Sequence, residues 1–204
     1  MLDATRSKFA SRLRKLMRGR LARRFVRRQD GAAAVEFALV AVPFLALTFT
    51  ILETALVFFA GQTLEAATAD AARLIMTGQA QTTKYTSPDP NYTASGSVPF
   101  SQSDFHNAVC DRLKGGLFDC AQISVDVKSY SSFSSISTAS PIVNKQFDTS
   151  SIGYVTGGPG DIVVVSLYYQ WPTFVPNLGN NLANLSNGNR LLTATAVFRV
   201  EPYK

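Results

Sequence analysis

The sequence predicts an α+β protein in which a long N-terminal transmembrane and spine helix precedes a small antiparallel-sheet head. Three patterns support this fold class. Residues 32–60 form an apolar run that is broken only by Glu36 and Glu53. Residues 61–78 continue this run with the periodicity of an amphipathic helix. Three later segments have the apolar, β-branched and aromatic composition of strands.

Charge divides the chain into two parts. Residues 1–31 hold eleven basic and two acidic residues, a net charge of +9, whereas residues 32–204 hold nine basic and twelve acidic residues, a net charge of −3. A basic segment on one side of an apolar run predicts that this side faces the cytoplasm. We therefore expect a basic cytoplasmic leader at 1–31, a transmembrane and spine helix at 32–78, and an extracytoplasmic α+β head at 79–204.

The apolar run is long enough to cross a bilayer. A helix needs roughly 20 apolar residues to span about 30 Å of hydrocarbon, and residues 37–52 contain no charged side chain. A core helix of a soluble protein rarely stays apolar on every face for this length. A secretory signal peptide has a shorter apolar core followed by small residues, and here the alanines come first. The sequence therefore predicts a single-pass membrane protein.

Glu36 lies near the start of this run, where an ionised carboxylate costs several kcal/mol unless it is paired or protonated. Three explanations are open: a place in the headgroup zone, a tolerated neutral acid, or a cationic partner created by processing. A cut after Gly31 would give Ala32 a free α-amino group, whose unperturbed pKa is about 8. Glu36 follows one helical turn later, so the two charges could pair within one chain or between staggered neighbours.

These residues resemble the N-terminal region of TadE-like proteins, which are minor pilins or pseudopilins of the tight-adherence (Tad) branch of type IV pili. The resemblance covers about residues 27–81 and rests on the stretches GAAAVEFALVAVPFLALTFTILE and TLEAATADAARLIMTGQAQ. In that family a prepilin peptidase cuts after a glycine, and a glutamate followed by an aromatic residue stands five residues into the product. Gly31, Glu36 and Phe37 match these three positions.

The resemblance implies cleavage between Gly31 and Ala32, and a role for Glu36 and Phe37 in setting the register between packed subunits. Glu53 matches a second glutamate common in such sequences and is a possible subunit contact, and its place near the outer end of the span predicts that it reaches interfacial water. The implied partners are the major pilin, other minor pilins, the prepilin peptidase, the inner-membrane assembly platform and membrane lipid. The expected location is the bacterial inner membrane, with the N-terminus cytoplasmic and the head periplasmic, before incorporation into an extracellular pilus.

Beyond residue 60 the helix is expected to pack one apolar stripe against the head and to stop at Gly78. The stripe consists of Leu64, Ala67, Ala71, Leu74 and Ile75. A short helix is expected next, with Ser103 as its N-cap and with Gly115 and Gly116 at its end.

Strands are expected at 121–130, 161–171 and 190–203, and the serine-rich tract 129–140 reads as a loop or an edge strand. Cys110 and Cys120 are the only cysteines. Ten positions apart in an oxidising compartment, they predict a disulfide that pins the short helix to the first strand.

No catalytic constellation is visible, since His106 is the only histidine, and two cysteines without histidine spacing argue against zinc. We expect a structural protein without cofactor, metal or nucleic-acid partner. Tyr168, Tyr169 and Trp171 could pack in the core of the head or form an adhesive patch.

Two other functions stay open: a tip adhesin whose aromatic strand contacts surfaces, and an uncleaved membrane-anchored periplasmic protein. The Arg-rich leader also fits a mitochondrial presequence, which predicts a mature N-terminus within residues 1–28 rather than at Ala32.

Overall fold

The computed structural model describes residues 31–88, 98–113, 115, 117–137, 139–174 and 182–203. The helices are α1 (Ala32–Met76), the single-turn α2 (Gln79–Thr82) and α3 (Gln102–Arg112). The strands are β1 (Ile123–Tyr130), β2 (Ile142–Val143), β3 (Gln146–Phe147), β4 (Ile162–Pro172) and β5 (Asn189–Arg199), with 3₁₀ turns at Cys120–Gln122 and Phe133–Ser135. The predicted α+β class is confirmed, with a long apolar N-terminal helix and a small antiparallel sheet. The basic leader lies outside the described residues up to position 30.

The chain divides into two compact units, residues 1–49 and residues 50–204. In the first unit the described residues are Gly31 and the N-terminal part of α1. The second unit contains the rest of α1, the other helices and all five strands.

Strands β1, β4 and β5 form an antiparallel sheet in the order β1-β4-β5. Val125 of β1 lies opposite Leu167 of β4, and Leu167 lies opposite Ala194 of β5. Because side chains alternate between the two faces of a strand, these three residues share one face of the sheet. They belong to the same buried cluster as the residues of α1 and α3 that pack on that face.

The part of α1 within the second unit buries one face against this sheet. Its buried positions recur at intervals of three and four residues, which is the spacing of one helix face. They include Glu53, Val57, Ala60, Leu64, Ala67, Ala71 and Ile75. Four of the five predicted stripe residues are buried here, and Leu74, on the edge of the stripe, is partly buried. Leu64 and Ile75 are completely buried, and each such side chain stabilises the fold by about 1.5–3 kcal/mol.

Helix α1 ends near the predicted stop. Gly78 has a φ of +78°, which glycine adopts at little cost because it lacks a Cβ atom. The ring of Tyr203 occupies the space that a Cβ atom at this position would need. The stop is therefore specified twice, by backbone conformation and by packing.

Helix α3 has a different N-cap from the predicted Ser103. The Ser101 hydroxyl accepts the N–H of Asp104 at 3.2 Å, and the Asp104 carboxylate accepts the N–H of Ser101 at 3.0 Å. This reciprocal pair is a capping box. Ser103 lies in the first turn, and its hydroxyl is 2.8 Å from that of Ser101. The prediction was wrong because only Ser101 has an acidic residue three positions later.

A disulfide joins Cys110, near the end of α3, to Cys120, in the 3₁₀ turn that leads into β1. On the outer face of the sheet, Tyr168, Leu185 and Leu191 form a second, smaller core with Ile142, Phe147 and Ile152. The described part of the serine-rich tract beyond Tyr130 contains a 3₁₀ turn and no strand.

The capping box gives a stability prediction. Ser101→Ala removes the acceptor for the Asp104 N–H and should lower the free energy of unfolding by about 1 kcal/mol. The measurement is chemical denaturation of the full-length protein in detergent, followed by Trp171 fluorescence. The matched control is Ser103→Ala, which should stay within about 0.5 kcal/mol of the parent because it removes no cap. A larger loss from Ser103→Ala would restore the original cap assignment.

Candidate functional site

The N-terminal part of α1 exposes apolar side chains on every face. Its large exposed residues are Val35, Phe37, Leu39, Val40, Val42, Phe44, Leu45, Leu47 and Phe49. An 18-residue window of the helix has a mean hydropathy of 2.2, and none of it is buried. By length and composition, α1 could therefore span a membrane. Monomeric soluble proteins rarely expose so large a continuous apolar surface.

Polar side chains within this apolar stretch bond back to the helix. The hydroxyl of Thr48 donates to the backbone carbonyl of Phe44 at 2.9 Å. The hydroxyl of Thr54 donates in the same way to the backbone carbonyl of Thr50 at 2.8 Å. Such bonds satisfy a polar group without water. They suit a segment surrounded by hydrocarbon, where unsatisfied groups cost several kcal/mol.

The residues of the predicted cleavage and register site lie at the start of α1. Gly31 immediately precedes the helix, and Ala32 is its first residue. Glu36 is four residues further on, and residues at this spacing share one helix face. Glu36 is exposed, and 75% of Phe37 is exposed. The structure thus brings Ala32 and Glu36 to neighbouring positions on an uncovered helix end.

Glu53 does not reach interfacial water as predicted. Its exposed fraction is only 5%, and its carboxylate accepts the backbone N–H of Phe174 at 2.5 Å. Phe174 follows the end of β4, so Glu53 lies on the helix face that the head covers. The prediction was wrong because it considered only the position of Glu53 along the span and not the face on which it lies.

The aromatic side chains of β4 pack in the core of the head, which is one of the two interpretations of this strand. Tyr168, Tyr169 and Trp171 are all buried. On the α1 face of the sheet, the ring centroid of Phe118 lies 5.0 Å from that of Tyr169 and 6.1 Å from that of Trp171. Tyr168 packs on the opposite face against Phe147, and burial raises the pKa of its hydroxyl. Core packing of these residues is therefore confirmed, and they do not form the alternative adhesive patch.

The lone histidine is tied to the disulfide loop. The Nε2 atom of His106 lies 2.9 Å from the carbonyl oxygen of Cys120, and its Nδ1 atom lies 3.9 Å from the sulfur of Cys110. It also lines an open groove of about 530 Å³ between α3, the start of β1 and the segment around Ile152. Among the described residues, no group of three or more His, Cys, Asp or Glu side chains could hold a metal ion.

An ion pair fixes the outer face of β1. The ammonium group of Lys128 donates to the Asp126 carboxylate at 2.8 Å, and this hydrogen bond raises the pKa of Lys128. The other carboxylate oxygen of Asp126 accepts the N–H of Gly153 at 2.9 Å. The pair thus holds the segment at Gly153 against the sheet, which is a structural role.

Residues 31–73 match the family model described as TadE-like protein. Over these residues, about a fifth of the chain, the sequence is similar to TadE-like proteins. The match confirms the resemblance for this segment. The TadE-like segment begins at Gly31 and includes Glu36, Phe37 and Glu53, and it ends at Arg73, three residues before α1 ends. No curated protein and no solved structure matches the chain.

The buried hydrogen bond of Glu53 can be tested directly. Glu53→Leu leaves the N–H of Phe174 without this acceptor, and hydrogen bonds to charged groups contribute about 1.5–3 kcal/mol. We expect the Phe174 amide to exchange its hydrogen roughly tenfold faster or more, since 1.4 kcal/mol corresponds to a factor of ten.

Two variants control this measurement. Glu53→Gln keeps a side-chain oxygen as acceptor and should give a smaller increase in exchange. Glu65→Leu changes an exposed glutamate of the same helix and should leave the Phe174 amide unchanged. Equal exchange in the parent and in Glu53→Leu would show that this contact does not protect the connection after β4.

Proposed function

We propose that the protein is a non-enzymatic minor pilin or pseudopilin of a Tad-type type IV pilus. It initiates or supports pilus assembly and surface adherence through the packing of its helix. One observation carries the proposal: the TadE-like match begins at Gly31, where a helix with uncovered apolar side chains also begins.

The exposed apolar surface of α1 is unfavourable in water and would be buried against lipid in the membrane. In a pilus, neighbouring helices would replace the lipid. Hydrocarbon tails are as apolar as leucine side chains, so this exchange gains little hydrophobic free energy. Close packing and specific polar contacts must therefore decide which helices associate and at what register.

Glu36 is suited to supply such a contact. Cleavage after Gly31 leaves an ammonium group at Ala32, one turn away on the same helix face. The dipole of the helix also favours a negative charge in its first turns. Each charge loses several kcal/mol of hydration free energy on leaving water, and an ammonium–carboxylate pair between subunits offsets part of this cost. The pair forms at only one axial stagger between the two helices.

The orientation and partners follow from the same proposal. The basic leader stays in the cytoplasm, and the head lies in the periplasm, where a Cys110–Cys120 disulfide is stable. The prepilin peptidase would act at Gly31 on the membrane-embedded chain. The major pilin, other minor pilins and the inner-membrane assembly platform would then engage the exposed face of α1.

Two alternatives differ from this proposal in specific observations. An uncleaved membrane-anchored periplasmic protein would have the same fold but would keep its leader. A tip adhesin would need an exposed binding surface, and the aromatic strand that suggested one is buried.

The N-terminus of the mature protein tests processing. We expect the membrane-extracted protein to begin at Ala32 in intact-mass analysis and N-terminal sequencing when the peptidase is present. Gly31→Leu should abolish cleavage, because a bulky side chain cannot enter a site that accepts only an extended glycine backbone. The control is Gly61→Ala, since a Cβ atom there meets nothing within 4 Å and should not affect processing. A mature chain that begins at Met1 or within residues 1–28 would contradict the proposal.

Glu36 tests the assembly step separately. Glu36→Leu should be cleaved normally but lost from purified pili, because the ammonium at Ala32 then has no carboxylate to pair with. Glu36→Gln keeps the size of the side chain and should also fail, which would show that the charge is required. Immunoblots of sheared pili and of membranes measure both steps. Glu65→Gln is the control, and full incorporation of Glu36→Leu would refute a role in register.

A further inference from the structure

The apolar exterior of α1 continues past Glu53. Glu53 and Val57 face the head, but Leu56, Phe58 and Phe59 on the same two turns are exposed. Successive helix positions differ by about 100° around the axis, so Leu56 and Phe59, three residues apart, share one side of the helix, whereas Phe58 points to another side. A single protein partner covers one side of a helix, whereas lipid covers every side that is left open.

The connection that follows β4 lies at this same level of α1. Trp171 is still buried in the core, but three residues later 72% of the Phe174 side chain is exposed. Its backbone is held in place, because its N–H donates to Glu53 at 2.5 Å. At the base of the connection, the hydroxyl of Thr173 donates to the carbonyl of Gly188 at 2.6 Å. Phe174 is therefore an aromatic side chain that a fixed backbone presents beside an apolar helix.

We propose that Phe174 is a second membrane contact, which inserts into the periplasmic leaflet next to α1 while the protein is anchored in the membrane. This inference rests on the membrane-anchored state in the proposed function. Its occupant is lipid, because the apolar surface at this level surrounds the open sides of α1 and is continuous with the span. Aromatic side chains are enriched at the boundary between hydrocarbon and headgroups.

The arrangement also explains why Glu53 is tolerated at this depth. A carboxylate near the hydrocarbon boundary is costly unless it is paired or hydrogen-bonded. Here the head covers the side chain and supplies the N–H of Phe174. The same bond satisfies one oxygen of the acid and fixes the backbone from which the phenyl ring extends.

Tryptophan depth measurements test this contact. The full-length protein with Phe174→Trp is placed in vesicles of phosphatidylethanolamine and phosphatidylglycerol that contain phosphatidylcholine brominated on its acyl chains. The parent protein, whose single tryptophan is buried Trp171, supplies the background that is subtracted. We expect a blue shift and loss of emission from the indole at position 174.

Two further variants calibrate the result. Phe44→Trp places the indole within the apolar run, where 65% of the side chain is exposed, and should be quenched. Phe133→Trp places it at a residue that is 63% exposed beyond Tyr130, at the end of the sheet far from Trp171, and should not be quenched. An unchanged near-UV circular dichroism signal verifies the core in each variant.

The outcomes separate the two proposals. Quenching at position 44 with none at position 174 overturns the membrane contact and leaves the anchored state intact. An indole at position 174 that lipid does not quench, but that crosslinks to a neighbouring pilin subunit, also overturns it in favour of a protein partner. Absence of quenching at both positions overturns the membrane-anchored state and the contact together.

Discussion

Helix α1 carries more apolar surface than the sheet can cover, and the rest of the structure depends on this imbalance. Between Val57 and Ile75 one face of the helix is buried in the core. In residues 31–49 apolar side chains are exposed on all faces. Burial of apolar surface stabilises by about 25 cal/mol per Å², so an uncovered surface of this size requires lipid or other helices. The same helix is thus a core element at one end and, at the other, a segment that could span a membrane.

The location of the TadE-like match agrees with this division of roles. It covers the exposed segment and most of the buried face, and it excludes α3 and the sheet. Under the proposed function, this helix contacts lipid and then neighbouring helices, which restricts more of its faces than packing against the head alone. The head must provide a complementary surface for one face only, and many sequences can do so. The match ends at Arg73, three residues before α1 ends.

Local sequence rules accounted for features that depend on short-range physics. The extent of α1, its stop at Gly78 and the alternation of Val125 and Val127 in β1 follow from periodicity and backbone preferences. The correct N-cap could also have been predicted, because Ser101 stands three residues before Asp104, which is the spacing of a capping box. Strand β5 ends at Arg199 rather than at 203, because the next residues leave the sheet and the N–H of Glu201 donates to the carbonyl of Met76.

The long-range contacts could not be predicted from the sequence. Glu53 accepts a hydrogen bond from the backbone of Phe174, 121 residues away, and no composition or spacing links the two. The burial of Tyr168 and Trp171 likewise depends on which loops and helices cover each face of the sheet. Glu36 was singled out because a carboxylate is costly near the start of an apolar run, and the resemblance added Phe37. The roles proposed for Gly31, Glu36 and Phe37 involve other proteins, so the fold of one chain does not test them.

Hydrogen bonds tie the head to α1 near both ends of the buried face of the helix, one through a side chain of α1 and one through its main chain. Glu53 holds the amide of Phe174, and the carbonyl of Met76 holds that of Glu201, 23 residues further along the helix. At 1.5 Å per residue the two points are roughly 35 Å apart, about the length of an eleven-residue strand. The buried stripe of α1 runs between these two attachments. A pull or twist on this part of the helix is therefore transmitted to the sheet along the whole length of the contact.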